Sequence, residues 1–533
     1  MVKRWNGWGE ESVEFALNPA AVQFLADRIG TGSSVQDASF EQVCKQVPTS
    51  RLPAHPLVQT DAANRVRHAL GQSLPDWLKM RYGKISHVPD GVAFPESGEE
   101  VRALLDYAKQ HNIAVIPYAG GTSVVGHLTV PEGSQPVLSM ALSRLSRLLN
   151  FDKDSQLATF GAGVLGPDLE AQLRAQGYTL GHFPQSFEYA SLGGWIVTRS
   201  SGQQSLRYGR IEQMFAGGRV ETPVGRLDIP TFPASSAGTD LREMVLGSEG
   251  RLGVLTEAIV RVTPLPEFEA FHAVFFPNWE QATAAAQSML RNKLPLSMLR
   301  ISNQLETLTM LTLAGHSKML SLLKSYLNLR GCGESKCMML IGVSGHARTA
   351  RNALSSALDL ARAQQGVHVG QTMGEKWKQN RFRNVYIRNS AWQYGYAIDT
   401  CETAVDWPRV TTMMHAVEQA ARDAFAQYQE KVHTYTHLSH MYAQGASVYT
   451  TFVFRLSGSY EQDLARWKTL KHAISSAIVA HGGTISHQHG VGSDHAPYLK
   501  AEKGELGIAG MRQLFQHFDP QGLMNPGKLL AET

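Results

Sequence analysis

Five side chains in the second half of this 533-residue sequence can move a proton or hold an anion: Arg300, Arg388, Tyr442, His487 and His489. Tyr442 stands in "SHMYAQGASVY", and a tyrosine can give or take a proton when a neighbouring cation brings its pKa toward the working range. His487 and His489 alternate in "TISHQHGVG". On a strand end that spacing turns both imidazoles to one side, where either can carry a proton or polarise a substrate oxygen near neutral pH. Arg388 lies among aromatics in "NVYIRNSAWQYGY", and its fork suits a carboxylate or phosphate, or equally an interdomain ion pair. As metal ligands, the candidates are His487-x-His489 and the trio His433, His437 and His440. However, "KVHTYTHLSHMY" is β-branched and aromatic, which predicts a strand and breaks the helical face that would gather three histidines. No Asp or Glu stands at a supporting spacing, so no metal is expected.

The first half offers a different chemistry. "PYAGGTSVVGH" at 117 to 127 follows the apolar run "IAVI" but lacks both the G-x-G-x-x-G of a dinucleotide turn and the Lys-Ser/Thr pair of a Walker loop. Three further segments share its mix of small residues and donors: "PQSFEYASLGGW", "VTRSSGQQ" and "GSEGRLGVLTE". Glycine allows close backbone approach, so successive N–H groups can converge on an anion. Each segment alone reads as a turn; four in one region predict a single extended polar ligand carrying a pyrophosphate.

The elements that must position these residues are legible from periodicity. Ser97 and Glu100 suggest a capping box, and Val101, Leu104, Leu105 and Ala108 mark one helical face before the strand that feeds the glycine loop. "SQLATFGAGVLGPDLEAQLRAQG" gives a strand, a Gly-Pro start and a helix with Leu169 and Leu173 one turn apart. "VLTEAIVRVTPLPE" predicts a long strand ended by prolines, a natural domain boundary. Beyond it helices such as "ARNALSSALDLARAQQG" alternate with strands such as "ASVYTTFVFRL". "EQDLARWKTLKHAISSAIVAHGG" carries Trp467, Leu470, Ile474 and Ile478 on a stripe, and "FDPQGLMNPGKL" reads as a last helix ending in a proline-rich turn. No internal repeat is visible. The expected division is a helical segment over 1–80, a ligand-binding domain over 81–267, an α/β cap over 268–475 and a closing segment over 476–533.

Bulk properties exclude several classes. The chain exceeds what one core usually serves, and 43% hydrophobic with 18% charged residues fits a folded protein. A net charge of +4 is too slight for a nucleic-acid partner. Four cysteines without zinc spacing suggest a reducing compartment. The first residues hold no apolar signal core and no run of roughly 18 apolar residues occurs, so a cytoplasmic location is expected.

In order along the chain, "RWNGWG", "PYAGGTSV", "PQSFEYASLGGWIVTRSSG", "LGSEGRLGVLTEA", "CETAVDWPRV", "YAQGASVY", "SHQHGVG" and "DPQGLMNPGKL" resemble the vanillyl-alcohol oxidase and p-cresol methylhydroxylase flavoproteins, and within them the alkyldihydroxyacetonephosphate synthase family. The resemblance implies an α+β fold: a two-subdomain FAD-binding domain plus a cap with an antiparallel sheet. It places Tyr118, Ala119, Gly120, Gly121, Thr122, Ser123 and Val124 about the FAD pyrophosphate. The other cofactor segments would be Pro184, Gln185, Ser186, Phe187, Glu188, Tyr189 and Ala190; Val197, Thr198, Arg199 and Ser200; and Glu249, Gly250, Arg251, Leu252, Gly253, Val254 and Leu255. Relatives that tether FAD carry a histidine where this chain reads Gly121-Thr122-Ser123, so noncovalent FAD is expected. The resemblance further implies that Arg388 and Arg300 bind substrate and that Tyr442, His487 and His489 are catalytic. The reaction implied is exchange of the acyl group of an acylated glycerone phosphate for a fatty alcohol, through attachment to flavin N5 and without net oxidation. An FAD-dependent 2-hydroxy acid dehydrogenase or oxidase is the alternative. The synthase pattern has three histidines before the glycine where this chain reads His487-Gln488-His489. A small anionic or lipid-like substrate, peripheral membrane contact and a homodimer complete the expectations.

Overall fold

The structure is a computed structural model that describes residues 2–314 and 318–531. The helix Gly98–His111 starts where the Ser97 hydroxyl accepts the Glu100 N–H and ends at Asn112 in the left-handed region, φ 51°. The return bond of a capping box is not made to Ser97; the Glu100 carboxylate accepts from the Glu96 N–H instead, at 2.7 Å. Val101, Leu104, Leu105 and Ala108 are all buried, as the 3.6-residue period requires. The helix delivers the strand Ala114–Tyr118, which pairs in parallel with Val137–Ala141, and that strand with Gly91–Ala93. Val58–Gln59 adds an antiparallel edge. The glycine loop therefore leaves the C-terminal end of a parallel strand, where open α/β sheets collect ligands.

A second, antiparallel sheet of five strands runs in the order Leu148–Asp152, Leu157–Gly161, Val254–Arg261, Phe215–Thr222, Gly225–Ile229. The helix Gly166–Arg174 buries Leu169 and Leu173. Thr263–Pro264 makes one short pair with Tyr178–Thr179 before the chain leaves for the cap at Phe268.

The cap is a seven-stranded antiparallel sheet in the order Val367–His368, Phe268–Phe276, Cys337–Gly345, Met298–Ser302, Val432–Leu438, Gly445–Arg455, Tyr396–Asp406. It contains a repeat of topology that the sequence does not display. Strand, helix, strand, strand, helix occurs once with the helices Trp279–Arg291 and Ala347–Ala363, and again with Trp407–Ala426 and Tyr460–Ala480. Each helix pair packs together against its own half of the sheet. The first half carries an insertion, the helices Gln304–Leu313 and Lys318–Leu329, between its second and third strands. Side chains alternate across a strand, so Met298, Arg300, Tyr435, His437, Tyr449 and Thr451 all project from the face opposite the helices into one cavity.

Three local expectations are corrected. His487–His489 is an irregular loop, not a strand end. The last helix, Leu499–Phe518, precedes "DPQGLMNPGKL"; that tail instead runs beside the first sheet, with Val115 N–H donating to Leu523 O and Asn525 N–H to Val115 O, each at 2.8 Å. Residue 475 lies inside the helix Tyr460–Ala480, so no break falls there.

Candidate active site

The four donor-rich segments and the cap face enclose one cavity of about 840 Å3. At its first-domain end the glycine loop is built for an anion. Gly121 and Gly126 have φ of 70° and 76°, and a Cβ on Gly120 would run into the Tyr189 carbonyl. Among the described residues, none of the backbone N–H groups from Gly120 to Val124 donates to a protein acceptor. Buried N–H groups are nearly always paired, so this run suits a phosphate-like ligand. Behind the loop the Lys3 ammonium donates to the Gly120 carbonyl at 2.6 Å, and burial lowers its pKa to about 8. Ser123 Oγ lies 2.7 Å from His127 Nδ1, and His127 Nε2 lies 3.1 Å from the Glu249 carboxylate. That carboxylate accepts the N–H groups of Val491 and Gly492 at 2.5 and 2.8 Å. Arg199 and Glu249, both at φ 52°, hold the left-handed backbone that non-glycine residues adopt mainly where a site demands it. Asn525 Oδ1 lies buried and unpartnered on the same wall.

At the cap end a proton-carrying cluster forms around His487. Tyr442 Oη is 2.7 Å from His487 Nε2, Arg210 Nη1 donates to the same nitrogen at 2.7 Å, and His487 Nδ1 lies 3.2 Å from Glu402 Oε1. Because a guanidinium can only donate, Nε2 must be the unprotonated nitrogen and Nδ1 carries the proton toward Glu402. Gln488 Nε2 donates to the other Glu402 oxygen at 2.5 Å. Burial favours the neutral Glu402 acid, but the adjacent His487, then His440 and His489, outweigh it and hold the carboxyl far below its usual range. His440 stacks on His487 with ring centroids 5.0 Å apart and faces the hydroxyls of Ser201 and Ser205. Burial first, and then the neighbouring His487, lower its pKa to about 3, so it is neutral. Burial raises the Tyr442 pKa, with Arg210 opposing. His489 lies edge-on to Tyr449, centroids 5.7 Å apart, and burial depresses its pKa.

Arg300 and Arg388, both on the cavity wall, differ in what they have left to give. Arg300 Nη2 is paired at 2.7 Å with Glu306, which also lies 2.9 Å from His437 Nδ1. Burial opposes ionisation of Glu306, yet Arg300 and His437 bring its pKa down to about 2. Arg388 makes no ion pair with a carboxylate among the described residues. It donates Nη1 to the Gln72 carbonyl at 2.8 Å, lies 4.3 Å above the Trp77 ring and lines the cavity. Burial lowers its pKa, with Asp399 pulling the other way. Glu402, His440 and His487 bring ligand atoms within 4.8 Å of one another, but a metal there would sit beside the Arg210 charge.

Residues 89–228 match the FAD binding domain family, and residues 265–529 match the C-terminal domain of FAD linked oxidases. Alkyldihydroxyacetonephosphate synthase from Dictyostelium discoideum is 30% identical over 482 residues, covering 89% of this chain and 78% of that protein. The chain belongs to the alkyldihydroxyacetonephosphate synthase family. A solved alkyldihydroxyacetonephosphate synthase superimposes with a TM-score of 0.83 at 25% identity, covering 98% of both chains. p-Cresol methylhydroxylase, 14% identical with 96% of both chains covered and a TM-score of 0.67, shares the fold. The chain is therefore an FAD-dependent enzyme of α+β architecture.

In this synthase-family chain the cavity wall includes Ala119–Val124, Pro184–Ser186, Ala190, Val197, Thr198, Ser200, Glu249, Gly250, Gly253 and Leu255, with Arg300, Arg388 and His489 from the cap and tail. The remaining expected residues lie off the wall. Tyr118 packs under Gly121 and donates to the Arg67 carbonyl, and Phe187 stacks on Phe382 at 4.8 Å. Tyr189 shares a 2.9 Å bond with Tyr386, and Arg251 donates to the Asn525 carbonyl. Leu252 and Val254 are core, while Glu188 and Arg199 also stay off the wall. Tyr442 and His487 stand one layer back, joined to the wall through His440 and Gln488. Sequence reasoning missed Arg210, Glu402, Glu306, His127 and Asn525. The signal for Glu402 was available: an acid within the apolar strand "YAIDTCETAVD" stays there only with a partner.

Proposed function

We propose that this enzyme exchanges the acyl group of an acylated glycerone phosphate for a long-chain alcohol without net oxidation. The observation that carries the reading is the two-ended cavity. One end holds Arg388, which makes no ion pair with a carboxylate among the described residues and shares the wall with Tyr449 and His489. The other is an apolar arm lined by Met298, Met310, Leu311, Leu323, Leu340 and Trp377, a length of surface that a small hydroxy acid leaves unfilled. FAD, when bound, supplies the electrophilic ring system and rests its pyrophosphate on the N–H groups of Gly120 to Val124. In this reading Arg388 holds the substrate phosphate, the proton from the carbon beside the ketone passes to the Tyr442–His487 cluster through the part of the wall where His440 and Gln488 stand, and the arm receives the alkyl chain and excludes water. The Gly121-Thr122-Ser123 sequence at the tethering position supports noncovalent attachment of FAD, with His127 Nδ1 taken up by Ser123 Oγ.

The helix Lys318–Leu329 supports contact with a lipid surface: Met319, Leu322, Tyr326 and Leu329 are 64, 71, 42 and 84% exposed on its outer side, with Lys318, Lys324 and Arg330 beside them. No helix among the described residues is long and apolar enough to cross a membrane. The four unpaired cysteines accord with a cytoplasmic location, and a homodimer remains part of the proposal. The test is direct. Purified holoenzyme supplied with acylated glycerone phosphate and a long-chain alcohol should release fatty acid and form the ether while its flavin absorbance returns unchanged. Anaerobic bleaching by D-lactate, with no ether formed, would overturn the reading.

A further inference from the structure

Arg381 is a second arginine on the cavity wall with no carboxylate partner among the described residues. It follows the helix Thr372–Asn380 and is buried, 9% exposed. Its guanidinium lies over the rings of Phe183 and Phe382 at 4.6 and 4.8 Å and 5.8 Å from that of Trp377, a stacking that holds the planar fork and leaves its edge free to hydrogen-bond. Along that edge Nη1 donates to the Gln204 amide oxygen at 3.2 Å, whereas Nε is buried without a partner and Nη2 donates to no protein acceptor among the described residues. The acids nearest it are spent. Glu269 pairs with Lys378 at 2.6 Å and accepts from Gln204 at 2.9 Å, and Glu170 accepts from Thr179 and from the N–H groups of Leu180 and Gly181. Burial lowers the Arg381 pKa to about 10, with Glu269 and Glu170 opposing, so the cation persists at neutral pH. A buried cation with open N–H groups on a cavity wall calls for an anion.

Its position selects which anion. Trp377, four residues earlier, belongs to the apolar arm. On the other side Gln204 adjoins Ser205, whose Oγ lies 3.2 Å from Nδ1 of His440, a wall residue beside the proton-carrying cluster. The arginine thus stands where the arm meets the reacting end, and Arg388, over Trp77, is left for the phosphate. We propose that Arg381 is a carboxylate subsite that binds the head of the fatty acid released in the exchange while its chain still lies in the arm. The identity of the acid rests on the exchange reading. In that exchange the ester C–O bond to the three-carbon unit breaks with its electron pair on the departing carboxylate, the ether C–O bond forms, and the alcohol proton is released. Negative charge therefore develops on the acid, where a fixed guanidinium favours it. Lys376 also lines the cavity, but its side chain is exposed, whereas Arg381 is buried and stacked.

Binding of dodecanoate and of dodecanol to the FAD-loaded enzyme, read by calorimetry, isolates the carboxylate, since the two probes share one chain. Arg381→Met should raise the Kd of dodecanoate at least about ten-fold and that of dodecanol less than about two-fold. Arg388→Met should leave dodecanoate binding near that of the parent; a loss as large as in Arg381→Met would put the acid's head at Arg388 and overturn the proposal. An unchanged dodecanoate Kd in Arg381→Met would overturn it as well. So would equal losses for acid and alcohol, which would make the arginine a packing element of the arm, or a shifted flavin spectrum with acid binding unchanged, which would place it on the cofactor. If Arg381→Met does not hold FAD, Arg381→Lys decides. It keeps the charge and loses the fork, so dodecanoate should weaken several-fold with dodecanol unaltered, and the absence of that difference would overturn the proposal. The titration needs no turnover. Ether formation without Arg381-dependent binding of dodecanoate would sink the subsite and spare the exchange; Arg381-dependent binding without ether formation would do the reverse.

Discussion

The two halves of the cap sheet repeat one topology and present opposite chemistries to the cavity. The half built on Tyr396–Asp406, Val432–Leu438 and Gly445–Arg455 offers Thr400, Tyr435, His437, Tyr449 and Thr451. The half built on Phe268–Phe276, Met298–Ser302 and Cys337–Gly345 offers Met298, Met338 and Leu340, and roofs them with inserted helices bearing Met310, Leu311 and Leu323. Antiparallel pairing and alternation are the same in both; only the inward-facing residue types differ. A single sheet can therefore hold the reacting head of a substrate and its inert chain side by side, with Arg300, Glu306 and His437 joining the halves at the seam.

The sharpest way to break this contrast is at the polar half. Tyr442→Phe should cut kcat by about 100-fold or more while the flavin spectrum and KM stay near those of the parent; retained turnover would remove the head from that half. At the seam, Glu306→Gln should cost about 1–3 kcal/mol in denaturant unfolding, because it leaves the part-buried Arg300 and the buried His437 without their shared counter-charge. The parent carries a matching pH signature. The Glu306 pKa is lowered to about 2 from its ordinary 4.5, so its stabilisation is complete above about pH 4.5 and is lost as pH falls toward 2. Glu306→Gln should flatten that part of the stability curve, and an unchanged slope would show that the pair does not bind the halves together. Arg388→Lys keeps the charge but loses the fork, and should raise KM for a phosphate-bearing substrate about ten-fold with little change in kcat. An unchanged KM would move the phosphate elsewhere. The smallest effect belongs to the apolar half. Leu323→Trp should raise KM several-fold for long-chain alcohols while sparing short ones, since pocket fit discriminates chain length by about 1–3 kcal/mol per methylene. Equal effects on both would mean that the chain does not enter the arm.

How much of this was legible in the sequence follows from distance along the chain. The glycine loop is local: its strand, its positive-φ glycines and its free N–H groups arise within residues 114 to 127, so composition and spacing sufficed. The helices and strands of the cap were likewise legible from periodicity, as with Trp467, Leu470, Ile474 and Ile478, all buried. The proton-carrying cluster was only half visible. Tyr442 and His487 stood out as residue types, whereas Arg210 reaches them from a short helix start in the first domain and Glu402 from a strand whose register no local pattern reveals. The reading of His487 and His489 as a strand end failed for the same reason: the loop makes isolated backbone bonds to the strand Tyr396–Asp406, from Thr484 to Ala404 and from His487 to Glu402, without a continuous ladder, and the side chains of Glu402, Gln488 and Arg210 hold it besides. The repeat in the cap escaped notice because topology repeats there while residue types do not.

The tail has a consequence for how the protein is made. Met524 pairs with Val115, Asn525 reaches the cavity wall, and Val491 and Gly492 clamp Glu249, while Lys3 braces the glycine loop from the other end of the chain. The cradle is thus finished by contacts spanning some of the longest sequence separations in the molecule, which form late and slowly. A nascent chain that has made the whole glycine loop but not residue 525 still lacks a wall of the binding site, so cofactor capture waits for residues 491 to 525.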